Sequence, residues 1–352
     1  MENFADLYTD YLITSTSLAT ATGMSSLLSI SHDKITRSLS KGEYDSTYLW
    51  KQVKPMVHEL TTSKEEIILS FDDSIEEKMY TDESELICWH YDHVFNRNVK
   101  GVNFLTALVD VGGAKLPVAV EFVRKDLWEL GEKKGKPKRK SSKTKNQLFR
   151  EMIRRCHYNF RFDYVVADSW YSSIENMELV KQTLNSNFII ALKSNRLVAL
   201  SKADKESCNF VNIESLQPEQ QTVEVWFEEL DFPLLLVKQV FKNEDGTVGE
   251  LYLACSDLNL SYERITTIYK KRWGVEVYHK SVKSNASFSK SPTKTQKTQT
   301  NHFMLSILAY VKLELLYLRK NKNHFAMKQI IYQAATKAAH QKLRELLTPM
   351  AA

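Results

Sequence analysis

Two apolar runs, "EIILSFDDS" and "FDYVVADSWY", each stop at aspartate, and the amphipathic segment "NQLFREMIRRCHYN" lies between them. Strand, helix and strand in that order imply a crossover, and so a sheet that is at least partly parallel. Between the first run and the helix, "GVNFLTALVDVGG" and "KLPVAVEFVRKD" read as two more strands joined by a Gly-Gly turn. An antiparallel meander therefore precedes the crossover. After a helix expected from about Ser173 to Leu184, β character returns in "NFIIALKSN", "QTVEVWFEEL", "FPLLLVKQVF" and "GELYLACSDL". The expected class is α/β, a mixed sheet flanked by helices. Residues before about position 62 read as helical, and two more helices follow Asn301.

Composition narrows the chemistry. Of the 352 residues, 43% are hydrophobic and 26% charged, as in a soluble globular protein. The first residues, "MENFADLYTDYLIT", lack the basic and apolar regions of a secretory signal. The apolar stretch "HFMLSILAYVKLELLYL" is interrupted by Lys312 and Glu314 and is too short to span a bilayer. Cys88, Cys156, Cys208 and Cys255 lie far apart with no C-x-x-C pair, which argues against a zinc site and a disulfide framework. A reducing cytoplasm is the expected compartment. The net charge of +5 is mild, yet "KKGKPKRKSSKTK", from Lys133 to Lys145, holds eight basic residues and no acid. Its Gly, Pro and Ser predict a flexible loop that forms no packed element, either solvated or laid on phosphates through residues such as Lys138, Arg139 and Lys140. Near the N-terminus, a helix, a turn at Ile30 and Ser31, and a second helix after a Ser31 cap are compatible with a helix-turn-helix presenting Lys34 and Arg37 to DNA.

The segment "IYKKRWGVEVYHKSVK", residues 268–283, reads as one helix. At 100° per residue Tyr269, Arg272, Glu276 and Lys283 fall in a strip roughly 60° wide and about 21 Å long. Ile268, Val275 and Val282 form an apolar stripe beside it. Trp273 sits off the strip, suited to packing on the β segment more than to stacking on a base. His279 and His302 read as core or phosphate-contacting residues and not as catalysts. Two strand-end aspartates and a later helical glutamate, without Cys or His ligand spacing, suit an oxygen-preferring Mg²⁺ or Mn²⁺. A pair of such ions can activate water or a 3′-hydroxyl at a phosphodiester.

The spacing Tyr269, two residues, Arg272, three residues, Glu276, six residues, Lys283 resembles the Tyr-Arg-Glu-Lys signature of bacterial insertion-sequence transposases of the insertion-sequence-four family. "FDDS" and "VVADSWY" resemble that family's first and second aspartate motifs. The resemblance, from Ile67 to about Tyr310, implies a ribonuclease-H-like DDE core interrupted by a β-rich insertion. It implies Asp72, Asp168 and Glu276 as ligands of two Mg²⁺ or Mn²⁺ ions, with Asp73 the fallback for Asp72. Tyr269, Arg272 and Lys283 would bind DNA phosphate, with Trp273 beside them. The regions expected are a helical DNA-binding region at 1–62, the first part of the core at 63–185, the insertion at 186–258, the second part at 259–310 with the catalytic helix, and a helical C-terminal region at 311–352.

The function implied is metal-dependent cut-and-paste DNA transposition: hydrolytic nicking at element ends, then 3′-hydroxyl strand transfer. The substrates implied are the terminal inverted repeats of an element and its target duplex, in a bacterial, nucleoid-associated setting without membrane. A dimer is implied on paired DNA ends, and a monomer or weak dimer without DNA, because coiled-coil heptads are absent from the sequence. The alternatives are a ribonuclease-H-like nuclease that cuts without joining, and a domesticated protein that binds element ends without catalysis.

Overall fold

Alternation along one strand divides the molecule. In the computed structural model, which describes residues 3–62, 65–93, 95–130, 135, 137–216, 221–242 and 246–347, strand β1 (Ile68–Glu77) has apolar residues on both faces. Leu69 and Phe71 join the larger core, whereas Ile68 belongs to a second cluster on the opposite face. A strand buried on both sides needs a layer on each.

Four helices, α1 (Phe4–Thr14), α2 (Ala21–Leu28), α3 (His32–Lys41) and α4 (Ser46–Thr61), precede it. Asn3, Thr20, Ser31 and Asp45 cap them, each side chain accepting a backbone N–H of the first turn. Ser29 ends α2 in the left-handed region, and α3 begins after Ser31 with Lys34 and Arg37 exposed. After β1 come β2 (Cys88–Asp92), β3 (Arg97–Val111), β4 (Ala114–Phe122), and a hairpin of β5 (Leu127–Leu130) with β6 (Pro137–Lys140). Gly112 and Gly113, with φ of 58° and 78°, make the β3–β4 turn, a backbone that needs residues without Cβ. Helix α5 (Lys145–Asn159) crosses to β7 (Tyr164–Ala167), and α6 (Ile174–Glu178) leads to β8 (Asn187–Leu192). Then β9 (Leu197–Val198), α7 (Lys202–Glu206), β10 (Val211–Asn212) and β11 (Val223–Val225) precede β12 (Leu234–Lys242) and β13 (Val248–Cys255). Helices α8 (Tyr262–Lys270), α9 (Trp273–Asn285), α10 (Gln296–Lys320) and α11 (His324–Leu347) finish the described chain.

Among the described residues nine strands form one mixed sheet. Its order is β11, β12, β13, β8, β7, β1, β3 and β2, with β4 also on β3. β1, β7 and β8 run parallel, and β1, β3 and β4 form the expected antiparallel ladder. A central mixed sheet flanked by helices, with a helical C-terminal region, is the ribonuclease-H-like architecture. The stretch read as a β-rich insertion supplies β8 and β11 to β13, which extend this same sheet.

Two local expectations fail. The basic run is not wholly a loop: Pro137–Lys140 pairs with Leu127–Leu130, and the Arg139 guanidinium lies 4.3 Å from the Trp128 ring centroid and donates to the Lys125 carbonyl. A cation stacked on an aromatic face buys the hairpin an order that charge counting misses. Lys133, Lys134 and Lys136 of that run lie outside the described residues. Nor is 268–283 one helix. Around Lys271 and Arg272 the hydrogen bonds tighten to i→i−3, from Arg272 N–H to the Tyr269 carbonyl and from Val275 N–H to the Arg272 carbonyl. Gly274 permits this packing, since a Cβ there would stand 2.9 Å from Lys115 Cε.

His302 is buried in the core, its Nδ1 2.9 Å from the Tyr8 hydroxyl and its Nε2 3.0 Å from the Ser287 carbonyl, which assigns the proton to Nε2. His279 is buried edge-on to Phe104, and its Nε2 finds no partner. Burial, aided by nearby Lys78, pushes His302 down to about 4, and burial, aided by Lys283, pushes His279 down to about 3. The unfolded chain takes up these protons near pH 6.5 and the folded chain only near 3 to 4, so stability falls as pH drops through that window. Two such rings give a slope of up to about 2.7 kcal/mol per pH unit. Melting curves between pH 7 and 4 check this, and His279→Leu is expected to remove about half the slope.

Candidate active site

The same alternation sorts the two aspartates of "DDS". Asp72 follows Ile68 and Ser70 on the β1 face that packs against α8, while Asp73 follows Leu69 and Phe71 on the face covered by α5. Asp73 is saturated there. Its Oδ1 accepts from the Tyr171 hydroxyl at 3.0 Å, and its Oδ2 from Lys145 Nζ at 2.6 Å and Asn103 Nδ2 at 3.1 Å. Tyr171 is fixed by stacking on Phe149, ring centroids 4.9 Å apart, and Phe149 packs in turn on Phe71.

Strand β7 lies parallel to β1 with Phe71 opposite Ala167, so Asp72 and Asp168 each stand one residue beyond the last pair. Tyr164 and Val166 of β7 share the second cluster with Ile68, and the extended backbone at Asp168 (φ −78°, ψ 179°) carries that alternation one step further. Asp72 and Asp168 thus leave adjacent strands on one face. Asp168 Oδ1 accepts the Trp170 N–H at 2.9 Å, capping the short turn Ser169–Tyr171. Its Oδ2 makes no protein hydrogen bond among the described residues. The cap and the site role therefore coexist on one carboxylate.

The α8–α9 junction covers this face. Tyr269 is 8% exposed and packs in the second cluster. Arg272 donates from Nη1 to Asp72 Oδ2 at 3.0 Å and from Nη2 to Glu276 Oε1 at 2.7 Å, bridging the two carboxylates. The Arg272 guanidinium centre is 5.8 Å from the Tyr269 ring. Lys283 lies further along α9, donating to Ser74 Oγ at 2.9 Å and the Ile75 carbonyl at 2.7 Å, with Glu76 at 3.8 Å. Trp273 is 61% exposed, so the expectation that it packs is wrong. Lys138 and Lys140 are on the β6 hairpin, and Lys34 and Arg37 on α3.

Electrostatics set this cleft apart. Burial pushes Asp72 up to about 7, Arg272 pulling it down while Asp168 and Asp73 raise it further. Burial also raises Asp168, opposed by the Trp170 N–H and reinforced by Asp73. Tyr269 is pushed up to about 12, chiefly by burial. Among the described residues Arg272 is the one cation hydrogen-bonded to Asp72, Asp168 or Glu276, a formal excess of negative charge on this face. Burial raises both Asp72 and Asp168 by more than the nearby Arg272 lowers them, and hard carboxylate oxygens suit a divalent ion. Among the described residues no three His, Cys, Asp or Glu side chains are grouped closely enough to hold one ion. Arg272 bridges two of the acids, Asp72 and Glu276. Asp72, Asp168 and Glu276 offer the hard oxygen donors that a divalent ion prefers.

Sequence reasoning passed over Lys145 as a site residue, and also Asn103, Tyr171 and Trp170. Lys145 ended a run read only as charge, and Asn103 and Tyr171 reach Asp73 through strand register and aromatic stacking, which no local motif encodes. Trp170 had a signal, being exposed directly after a strand-end aspartate, with Lys145 Nζ 5.3 Å from its ring.

The sequence model of the family described as DDE superfamily endonuclease matches residues 2–206, more than half of the 352-residue chain. That of the family described as Transposase DDE domain matches residues 138–312. Together the two ranges contain Asp72, Asp168 and Glu276. No curated protein matches the chain.

Proposed function

The chain belongs to the DDE superfamily endonucleases, and on that premise we propose that it is a cut-and-paste DNA transposase of the insertion-sequence-four type. The observation that carries this reading is the shared face: Asp72 and Asp168 leave adjacent parallel strands beneath the helix junction bearing Tyr269, Arg272 and Glu276. Divalent ions, Mg²⁺ or Mn²⁺, held by Asp72, Asp168 and Glu276 would activate water or a 3′-hydroxyl and stabilise the leaving oxygen of a phosphodiester.

The chain's own groups do the rest. The Trp170 N–H holds one oxygen of Asp168 and leaves the other for a ligand. Arg272 offers a planar fork and Lys283 a point charge to the phosphates flanking the scissile bond. Buried Tyr269 supports the Arg272 guanidinium and adds a hydroxyl donor. Lys145, Asn103 and Tyr171 hold Asp73, which fixes β1 where Asp72 leaves it. Exposed Trp273 lies beside this strip and is free to stack on a base. We assign α1 to α4, residues 1–62, to DNA-end recognition through Lys34 and Arg37, and expect a dimer on paired inverted repeats. Residues 186–258 and 311–352 are assigned as an insertion and a C-terminal region around a core of 63–185 and 259–310. No helix of the described residues is long and apolar enough to cross a membrane.

An intermolecular strand-transfer assay tests the reading. A labelled duplex ending in a 3′-hydroxyl is expected to join a supercoiled target in the presence of Mg²⁺. Cutting without joining would favour the nuclease, and neither product would leave only DNA binding.

The β5–β6 hairpin gives a separable prediction. Lys138→Gln with Lys140→Gln removes two exposed charges, and Arg139 is left in place because its packing on Trp128 orders the hairpin. The slope of log affinity against log salt should fall by about 2 for duplex DNA. A slope unchanged in a fluorescence-anisotropy titration would return the hairpin to a solvated surface.

A further inference from the structure

Arg272 serves two masters in the proposed site. It neutralises Asp72 and Glu276 in this structure, through contacts of 3.0 and 2.7 Å. The same guanidinium is the group best shaped to clamp a phosphate. It cannot do both with the same donors. One N–H of Nη1 and one of Nη2 go to the carboxylates, and Nε is buried with no hydrogen-bond partner among the described residues. A buried donor left unsatisfied is unfavourable, so the pose that bridges the acids is not the one that satisfies the arginine. Its side chain is 17% exposed, which leaves the guanidinium within reach of a ligand in the cleft.

Resting on the functional reading above, we propose that Arg272 is an exchangeable counter-ion that couples DNA to metal. A phosphate in the cleft draws the guanidinium off Asp72 and Glu276, and the carboxylates it releases then accept the divalent ion beside Asp168. No covalent bond changes in this exchange; one cation replaces another at the acids, and the arginine charge moves to the phosphate. Two consequences follow from charge alone. Without DNA, the guanidinium competes with a divalent ion for the same oxygens, so affinity for the ion is low. With DNA bound, that competition ends. By linkage the ion must strengthen DNA binding by the same factor, and site-to-site couplings of this kind are typically about 5- to 150-fold. The two ligands thus load together, and the carboxylates are armed only where a phosphodiester lies. Lys145 does not share this role, since it is committed to Asp73 on the other face of β1.

The probe is Mn²⁺, followed by the electron paramagnetic resonance signal of the free ion, with the full chain, with and without a short duplex oligonucleotide, and with the duplex alone as blank. Wild-type protein is expected to bind Mn²⁺ at least about 5-fold more tightly when DNA is present. Arg272→Gln is expected to bind Mn²⁺ several-fold more tightly than wild type without DNA and to show no further gain when DNA is added. Arg272→Lys, which keeps the charge but not the fork, should retain part of the competition. Wild-type affinity that ignores DNA, or an Arg272→Gln protein that binds Mn²⁺ no better than wild type, overturns the coupling. Asp168→Asn separates this failure from that of the site itself: if it leaves Mn²⁺ binding unchanged, the metal reading falls and the coupling with it. Circular dichroism and thermal melting confirm that each variant is folded.

Discussion

Asp168→Asn is expected to yield a folded protein that binds duplex DNA with wild-type affinity when divalent ions are absent and, with Mg²⁺ present, cleaves it at least about 10³-fold more slowly. The fold survives because asparagine caps as well as aspartate, so the hydrogen bond from the Trp170 N–H to the side-chain oxygen is kept. What is lost is the carboxylate charge. Stabilising the transition-state charge of a phosphodiester is worth several kcal/mol, and about 4 kcal/mol corresponds to the stated factor. Asp168→Ala would lose the cap as well and confound the two effects. Cleavage of a labelled duplex, scored with anisotropy and a melting curve on the same preparation, checks the separation. Equal losses of binding and cleavage would assign Asp168 to the turn alone.

The second large effect divides neighbours. Asp72→Asn should abolish cleavage to a similar degree with stability within about 1 kcal/mol of wild type, because the change removes repulsion toward Asp168 and Asp73 while weakening one contact to Arg272. Asp73→Asn should act mainly on the fold. It replaces an acceptor of three donors by an amide, and leaves the Lys145 ammonium without its 2.6 Å partner, a cost of about 1–3 kcal/mol. Denaturant melts beside cleavage rates distinguish the pair. The reverse pattern, a stable but inactive Asp73→Asn with an active Asp72→Asn, would move the first ligand to Asp73.

Much of this site is legible before folding is considered. The apolar run before Asp168 does end with its strand, whereas β1 runs on past Asp72 to Glu77 and only its pairing with β7 stops before that aspartate; an intervening amphipathic helix demands the parallel pairing of β1 with β7, and period-two alternation sends Asp72 and Asp73 to opposite faces. The Gly112–Gly113 turn and the Ser31 cap are equally local. The rest depends on contacts between distant segments. Tyr171 reaches Asp73 because its ring stacks on Phe149, and Arg139 orders a hairpin because Trp128 lies opposite it in register. A helical wheel drawn through 268–283 places Tyr269, Arg272 and Glu276 in one row, yet it assumes a constant 100° step. The i→i−3 bonds at the α8–α9 junction break that assumption, and Arg272 stands there between two acids.

The most direct test is anomalous diffraction from crystals of the full chain with duplex DNA and Mn²⁺. A peak about 2.1 Å from carboxylate oxygens of Asp72, Asp168 and Glu276, with the Arg272 guanidinium on a phosphate, is the predicted result. A peak bound elsewhere on the chain, or a cleft in which Arg272 still bridges Asp72 and Glu276 beside bound DNA and Mn²⁺, would contradict it.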